Sequence, residues 1–314
     1  MKKKLFIAIS VIITFVITVL IGASFYFYDV AIQRADKDFL DDNPDLAVTT
    51  DDTLQIEAEE WAETAGFEEK MITSSDGLKL KGYYLASDEK SAKTAIIAHG
   101  YSGQATGMYT YAKFYHEKLG YNVLMPDARG HGNSEGDYIG FGWHERKDYL
   151  QWIDYILGLN GADTEIALHG VSMGGATVLM TSGEALPDQV KAIVADCGYT
   201  SAKGILTYQL ERMYNLPSFP IIPATSFLTK LRAGYSFSEA SALEQVKKTN
   251  LPILFIHGEE DTFVPVEMVY ELYKAAGGDK ELYIVPGAEH GNAYDANPDV
   301  YEEKVSSFLS KYMK

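Results

Sequence analysis

Short, unbroken apolar runs recur along the chain at residues 94–98, 122–125, 165–168, 192–195, 253–256 and 282–285. Runs of this length suit parallel strands covered on both faces. Between most of them apolar positions fall at helical spacing, as at Tyr149, Trp152, Ile153, Ile156 and Leu157. Such alternation of strand and helix predicts a doubly wound, mostly parallel sheet, in which ligands bind outside the carboxyl ends of the strands. Upstream the pattern changes. Residues 70–73 and 78–85 flank Ser74-Ser75-Asp76-Gly77, which predicts a β-hairpin, and Leu54, Ile56, Ala58, Trp61 and Ala62 predict a short helix on the domain edge. Residues 199–250 are too many for one crossover helix and carry many aromatics and three prolines, at Pro217, Pro220 and Pro223. A small lid over the site is expected there.

The N-terminus has a pattern of its own. Met1-Lys2-Lys3-Lys4 precedes a run from residue 5 to residue 28 without a charged side chain. At about 1.5 Å per residue, that run is long enough to cross a hydrocarbon layer of about 30 Å. Phe25-Tyr26-Phe27-Tyr28 suits an aromatic belt at the membrane interface. Gly22-Ala23-Ser24 offers a weaker alternative, a cleavage site that would release a secreted protein. Lysines before the span and acids after it (Asp29, Asp36, Asp38, Asp41, Asp42) place the N-terminus in the cytoplasm and the rest outside. The expected organisation is an anchor over 1–28, an acidic tether over 29–53 and a catalytic domain over 54–314.

Composition narrows the partners. The net charge of −17 argues against a nucleic-acid surface, which needs a basic footprint. The lone cysteine, Cys197, excludes an intramolecular disulfide, and its apolar neighbours suit a small core residue. Neither a metal-ligand spacing nor a phosphate-cradling glycine loop is visible, so chemistry without metal or cofactor is expected.

The candidate chemistry lies after strand ends. Gly170-Val171-Ser172-Met173-Gly174-Gly175 follows one apolar run and opens an apolar helix. It matches the Gly-x-Ser-x-Gly turn that projects a serine from a sheet edge. A serine hydroxyl needs a base, expected on such a sheet in the order Ser, acid, His. His290, in Gly287-Ala288-Glu289-His290-Gly291, is the histidine C-terminal to the acidic loop His257-Gly258-Glu259-Glu260-Asp261. Asp261 is the chosen acid, with Glu260 left open by spacing alone. The oxyanion formed on attack needs backbone donors, assigned to the N–H groups of Met173 and of Tyr101 in His99-Gly100-Tyr101-Ser102-Gly103. His99 and His257 end strands and suit loop-holding hydrogen bonds.

These segments, with Asp127-Ala128-Arg129-Gly130-His131-Gly132-x-Ser134 and Asp261-x-x-Val264-Pro265, resemble the α/β-hydrolase superfamily in order from about residue 70 to the C-terminus. With the N-terminal span and Tyr235-Ser236-Phe237, the chain is most similar to bacterial membrane-anchored hydrolases labelled cell-surface hydrolases. The resemblance implies an α/β-hydrolase fold with a lid, the set Ser172, Asp261 and His290, and carboxylic-ester hydrolysis. Arg129 in such a turn is expected to tie loops together.

An esterase acting through an acyl-enzyme is therefore expected, on a small-molecule or lipid ester, with a pocket from Tyr199, Tyr208, Met213, Tyr214, Phe219 and Phe227. A serine peptidase or a lipase would use the same residues. A binding module would require the set to be vestigial. Dehalogenase or epoxide hydrolase chemistry on this fold needs an aspartate at position 172, which Ser172 excludes.

Overall fold

A computed structural model of the chain describes residues 2–37, 40 and 53–314. In chain order its elements are α1 (Lys2–Ala31), α2 (Thr53–Ala65), β1 (Glu68–Thr73), β2 (Lys79–Leu85), β3 (Lys93–Ala98), α3 (Tyr109–Lys113), β4 (Asn122–Pro126), α4 (Glu145–Asn160), β5 (Glu165–Val171) and α5 (Met173–Ser182). There follow β6 (Val190–Asp196), α6 (Ala202–Tyr214), α7 (Ser218–Ala233), α8 (Ala242–Gln245), β7 (Ile253–Gly258), α9 (Glu267–Ala275), β8 (Lys280–Val285), α10 (Ala293–Ala296) and α11 (Pro298–Leu309). The strands form one sheet in the order β1-β2-β4-β3-β5-β6-β7-β8. β1 and β2 pair antiparallel, β2 joins β4 antiparallel, and the remaining pairs are parallel. This is the α/β-hydrolase fold.

The six apolar runs become β3 to β8, because strands covered on both faces can be apolar throughout. Ile96, Leu168 and Ile193 belong to one core, whereas Ala95, Ala167 and Val194 belong to the core on the opposite face. The edge strand β1 is mostly exposed, and β2 alternates. Arg129 does tie loops together: its guanidinium donates to both carboxylate oxygens of Asp148 on α4, at 2.7 and 2.6 Å, and to Asp76 in the hairpin turn. Those bonds hold the Asp76 carboxyl well below its usual range.

The N-terminal segment departs from expectation. α1 is long and apolar enough to cross a membrane, and its residues from Leu5 to Tyr26 are largely exposed. Its last turns, however, carry an inward stripe. Ser24 and Tyr28 are buried, Phe27 and Ala31 pack on the core, and α1 runs against the lid helix α7. Phe27 and Tyr28 therefore serve the lid rather than an interfacial belt, while Phe25 and Tyr26 stay outside. Nor is the start of the expected tether free. Ile32 is fully buried, and Arg34 donates to the carbonyls of Gly132 and Ser134, each at 2.7 Å. Lys37 donates to the carbonyls of Val30 and Gln33 at 2.7 and 2.8 Å, placing a cation at the negative end of the α1 dipole. Arg34 and Lys37 of this segment are thus satisfied by backbone carbonyls, so residues 32–37 dock on the domain. Residues 38, 39 and 41–52 of the expected tether lie outside the described residues.

One buried cluster ties stability to pH. His169 on β5 sits between the hydroxyls of Tyr115 and Tyr301, at 3.1 Å each, and Tyr301 donates to Asp196 at 2.9 Å. Burial lowers His169 from 6.5 to about 3. The unfolded chain then binds more protons than the native one below pH 6.5, so His169 costs stability as pH falls. Burial raises Asp196 to about 6, which acts in the opposite sense below that pH. Comparing His169→Gln with the wild type removes one term and leaves the other. Wild type should lose about 2 kcal/mol more than the variant between pH 7.5 and 5.0, read by urea unfolding. Equal losses would show that His169 is not held neutral.

Candidate active site

The sheet brings its chemistry to the carboxyl ends of β3, β5, β7 and β8. At the end of β5 the chain reverses into α5 in one residue, Ser172, whose φ of 57° and ψ of −117° lie in a region that L side chains rarely adopt. Two glycines let strand and helix come close enough. A Cβ at Gly170 would lie 2.1 Å from the Gly174 carbonyl oxygen, and one at Gly174 would lie 2.0 Å from that of Ala98. No side chain fits such spaces. The turn places the Ser172 hydroxyl at the N-terminus of α5, where the first helical N–H belongs to Met173.

The loop after β7 supplies a carboxylate. Oδ1 of Asp261 accepts the N–H groups of Phe263 and Val264 at 3.0 and 2.7 Å. Its Oδ2 lies 2.8 Å from Nδ1 of His290, in the loop after β8, and 3.2 Å from Nε2 of His257. Burial opposes the charge on Asp261, but the two imidazoles and their hydrogen bonds outweigh it and hold the carboxyl at about 2. Nε2 of His290 faces the Ser172 hydroxyl at 2.9 Å. With Nδ1–H donated to the carboxylate, Nε2 is left as the acceptor for the serine proton. The ring of Phe263 packs on His290, with centroids 4.9 Å apart.

The loop after β3 lies against the serine. A Cβ on Gly100 would sit 3.4 Å from the Ser172 Cβ, so the loop that carries Tyr101 lies beside the nucleophile. The Tyr101 hydroxyl donates to the Ala31 carbonyl at 2.9 Å, and its ring packs on Phe141. His99 takes the structural part expected of it. Its Nε2 accepts the Ala128 N–H at 3.0 Å, which leaves Nδ1 to donate to the Gly100 carbonyl at 2.8 Å. His257 does likewise at the Val264 carbonyl, 2.8 Å away, while also bracing Asp261.

Above Ser172 opens an apolar pocket of about 830 Å³ of empty space, mouth included. Tyr199, Met213 and Tyr214 line it as expected. Three other expected pocket residues do not. Tyr208 spends its hydroxyl on the Thr262 carbonyl at 2.8 Å, beside the pocket rather than in it. Phe219 and Phe227 are 77% and 67% exposed. Phe219 has extended backbone ahead of the regular helix, and Phe227 lies two residues beyond the inward Thr225, about 200° around the axis. The sequence reading missed Phe27, Val30 and Ala31 of α1, which form part of the lining. Cys197, Asp261 and His290 bring potential ligand atoms within 4.8 Å of one another. Both His290 nitrogens are already engaged, and burial pushes the Cys197 thiol far up, so the cluster suits proton transfer better than metal binding.

Comparison with known proteins agrees with this geometry. Residues 108–314 match the model of the prolyl oligopeptidase family. The chain is 32% identical to the uncharacterized protein YqkD of Bacillus subtilis (strain 168), over 98% of this chain and 97% of that one. Its structure is similar to that of the Pyrococcus furiosus esterase Pf2001, with a TM-score of 0.66 and 26% identity over 81% of this chain and 94% of that one. A Pyrococcus horikoshii acylaminoacyl peptidase shares the fold, with a TM-score of 0.60 and 18% identity over 81% of this chain and 43% of that one. A strained serine between β5 and α5, a histidine reaching it and a family match over residues 108–314 agree: the chain belongs to the prolyl oligopeptidase family of serine hydrolases with the α/β-hydrolase fold.

Proposed function

We propose that the chain is a membrane-anchored carboxylic ester hydrolase. In this reading Ser172 is the nucleophile, His290 the general base and Asp261 the acid that orients it. The observation that carries it is the unbroken relay from Asp261 Oδ2 through His290 to Ser172 Oγ, at 2.8 and 2.9 Å, opening into an apolar pocket. Ser172 Oγ attacks the ester carbonyl as its proton passes to His290 Nε2. The N–H groups of Met173 and Tyr101 stabilise the oxyanion. The imidazolium then protonates the departing alkoxide, and an acyl-Ser172 ester remains. Water, deprotonated by His290, releases the acid and restores the serine. Asp261 fixes the Nδ1–H tautomer and compensates the imidazolium charge.

A peptidase has one observation in its favour, the membership in a family named for oligopeptidases. Against it, among the described residues no Asp or Glu lines the pocket to pair with the ammonium of a peptide N-terminus. An apolar wall suits the acyl part of an ester better. Two tests follow. Against p-nitrophenyl esters and aminoacyl anilides, the esters should be preferred, and Ser172→Ala and His290→Ala should each lower kcat by at least about 10³-fold. A preference for anilides would replace the esterase with a peptidase. Lys2, Lys3 and Lys4 before the apolar run of α1 support an N-terminus in the cytoplasm and a catalytic domain outside the cell membrane. Protease added to intact spheroplasts should then digest the domain, whereas digestion only after lysis would reverse the topology.

A further inference from the structure

We propose that the membrane helix is itself a wall of the acyl site, and that it selects esters whose apolar chain lies at the membrane surface. The proposal deepens the esterase reading and rests on it. The pocket above Ser172 is closed on one side by Phe27, Val30 and Ala31, from the last turns of α1. These side chains are fixed from several directions. Phe27 meets the pocket residue Tyr214 edge to face, with centroids 5.1 Å apart. The Ala31 carbonyl takes the hydroxyl of Tyr101, which the loop beside Ser172 carries. Past the helix end, the Ile32 carbonyl accepts the Ile139 N–H at 2.7 Å, and the Arg34 guanidinium donates to three further carbonyls. The anchor is thus built into the catalytic domain rather than strung from it.

The surroundings of that wall indicate the substrate. Arg232 on α7 lies over the rings of Phe25 and Tyr28, at 5.4 and 4.9 Å, and pairs with Asp29 at 3.7 Å. This clasps the lid helix to the end of the span. α7 packs against α1 and exposes Phe219, Phe227 and Leu231, and α1 exposes its own apolar side chains from Leu5 to Tyr26. Large apolar side chains next to a membrane span are best covered by lipid. A pocket walled by the span and roofed by this helix opens where acyl chains are concentrated. The substrate class that fits is a single-chain amphiphilic ester, such as a monoacylglycerol, with its carbonyl at Ser172 and its chain against α1.

The test uses the full chain in phosphatidylglycerol nanodiscs and compares kcat/KM for p-nitrophenyl octanoate with that for the acetate. Val30→Trp, which fills the wall, should lower the octanoate-to-acetate ratio at least about tenfold. Phe27→Ala, which opens it, should shift the optimum toward longer chains by several-fold. Val16→Ala, in the exposed part of α1, should leave the ratio at the wild-type value. Either pocket variant decides the matter if the other fails to unfold cooperatively. Ratios unmoved in a folded Val30→Trp or Phe27→Ala, or moved equally by Val16→Ala, would overturn the wall. Wild type should also release oleate from monooleoylglycerol carried in the same nanodiscs. Failure to do so, with p-nitrophenyl esters still cleaved, would overturn the membrane substrate. A wild type that cleaves no ester would instead refute the esterase reading, which keeps the two failures apart.

Discussion

Packing between β5 and α5 governs the site. The chain must turn from strand to helix within one residue, and the neighbouring backbones must approach until a single Cβ would collide. Glycine at 170 and 174 permits the approach, and Ser172 absorbs the strain in a positive-φ conformation. Relaxing the turn would carry the hydroxyl away from the sheet edge. Because β3 and β6 flank β5, the same close packing fixes the loops after those strands relative to the serine.

Around that turn the electrostatics run in one direction. Asp261 is buried yet remains ionised, because two backbone N–H groups and two imidazoles face it. The stabilised carboxylate in turn orients His290, whose free lone pair points at Ser172. Each member follows a different strand of the one sheet. The relay is therefore assembled before substrate arrives, which is what preorganised catalysis requires.

How much of this was legible in the sequence follows from contrast. The parallel strands were readable because they are apolar without interruption and bounded by turns, and the structure places them within a few residues of the expected bounds. The convergence of Ser172, Asp261 and His290 was readable because each follows a strand in a fixed chain order. The wall formed by Phe27, Val30 and Ala31 was hidden for the opposite reason. α1 is apolar on every face, so an inward stripe has no polar face to stand out against. Asp29, read among the acids of a tether, then misled by composition, and Arg34 and Lys37 of the same segment were not weighed. Charges that usually mark a solvated tether are here paired with Arg232 or with backbone carbonyls. Phe219 and Phe227 misled in the lid, where helix rotation decides which aromatics face in, and no periodicity in that proline-rich stretch reveals it.

The central claim is that one serine, activated by one histidine, carries out the chemistry. Peptide mapping by mass spectrometry after reaction with a fluorophosphonate tests it most directly. A single phosphonyl adduct on Ser172 is expected in the wild type, with none formed over the same interval in His290→Ala. An adduct elsewhere, or equal labelling without His290, would contradict the account.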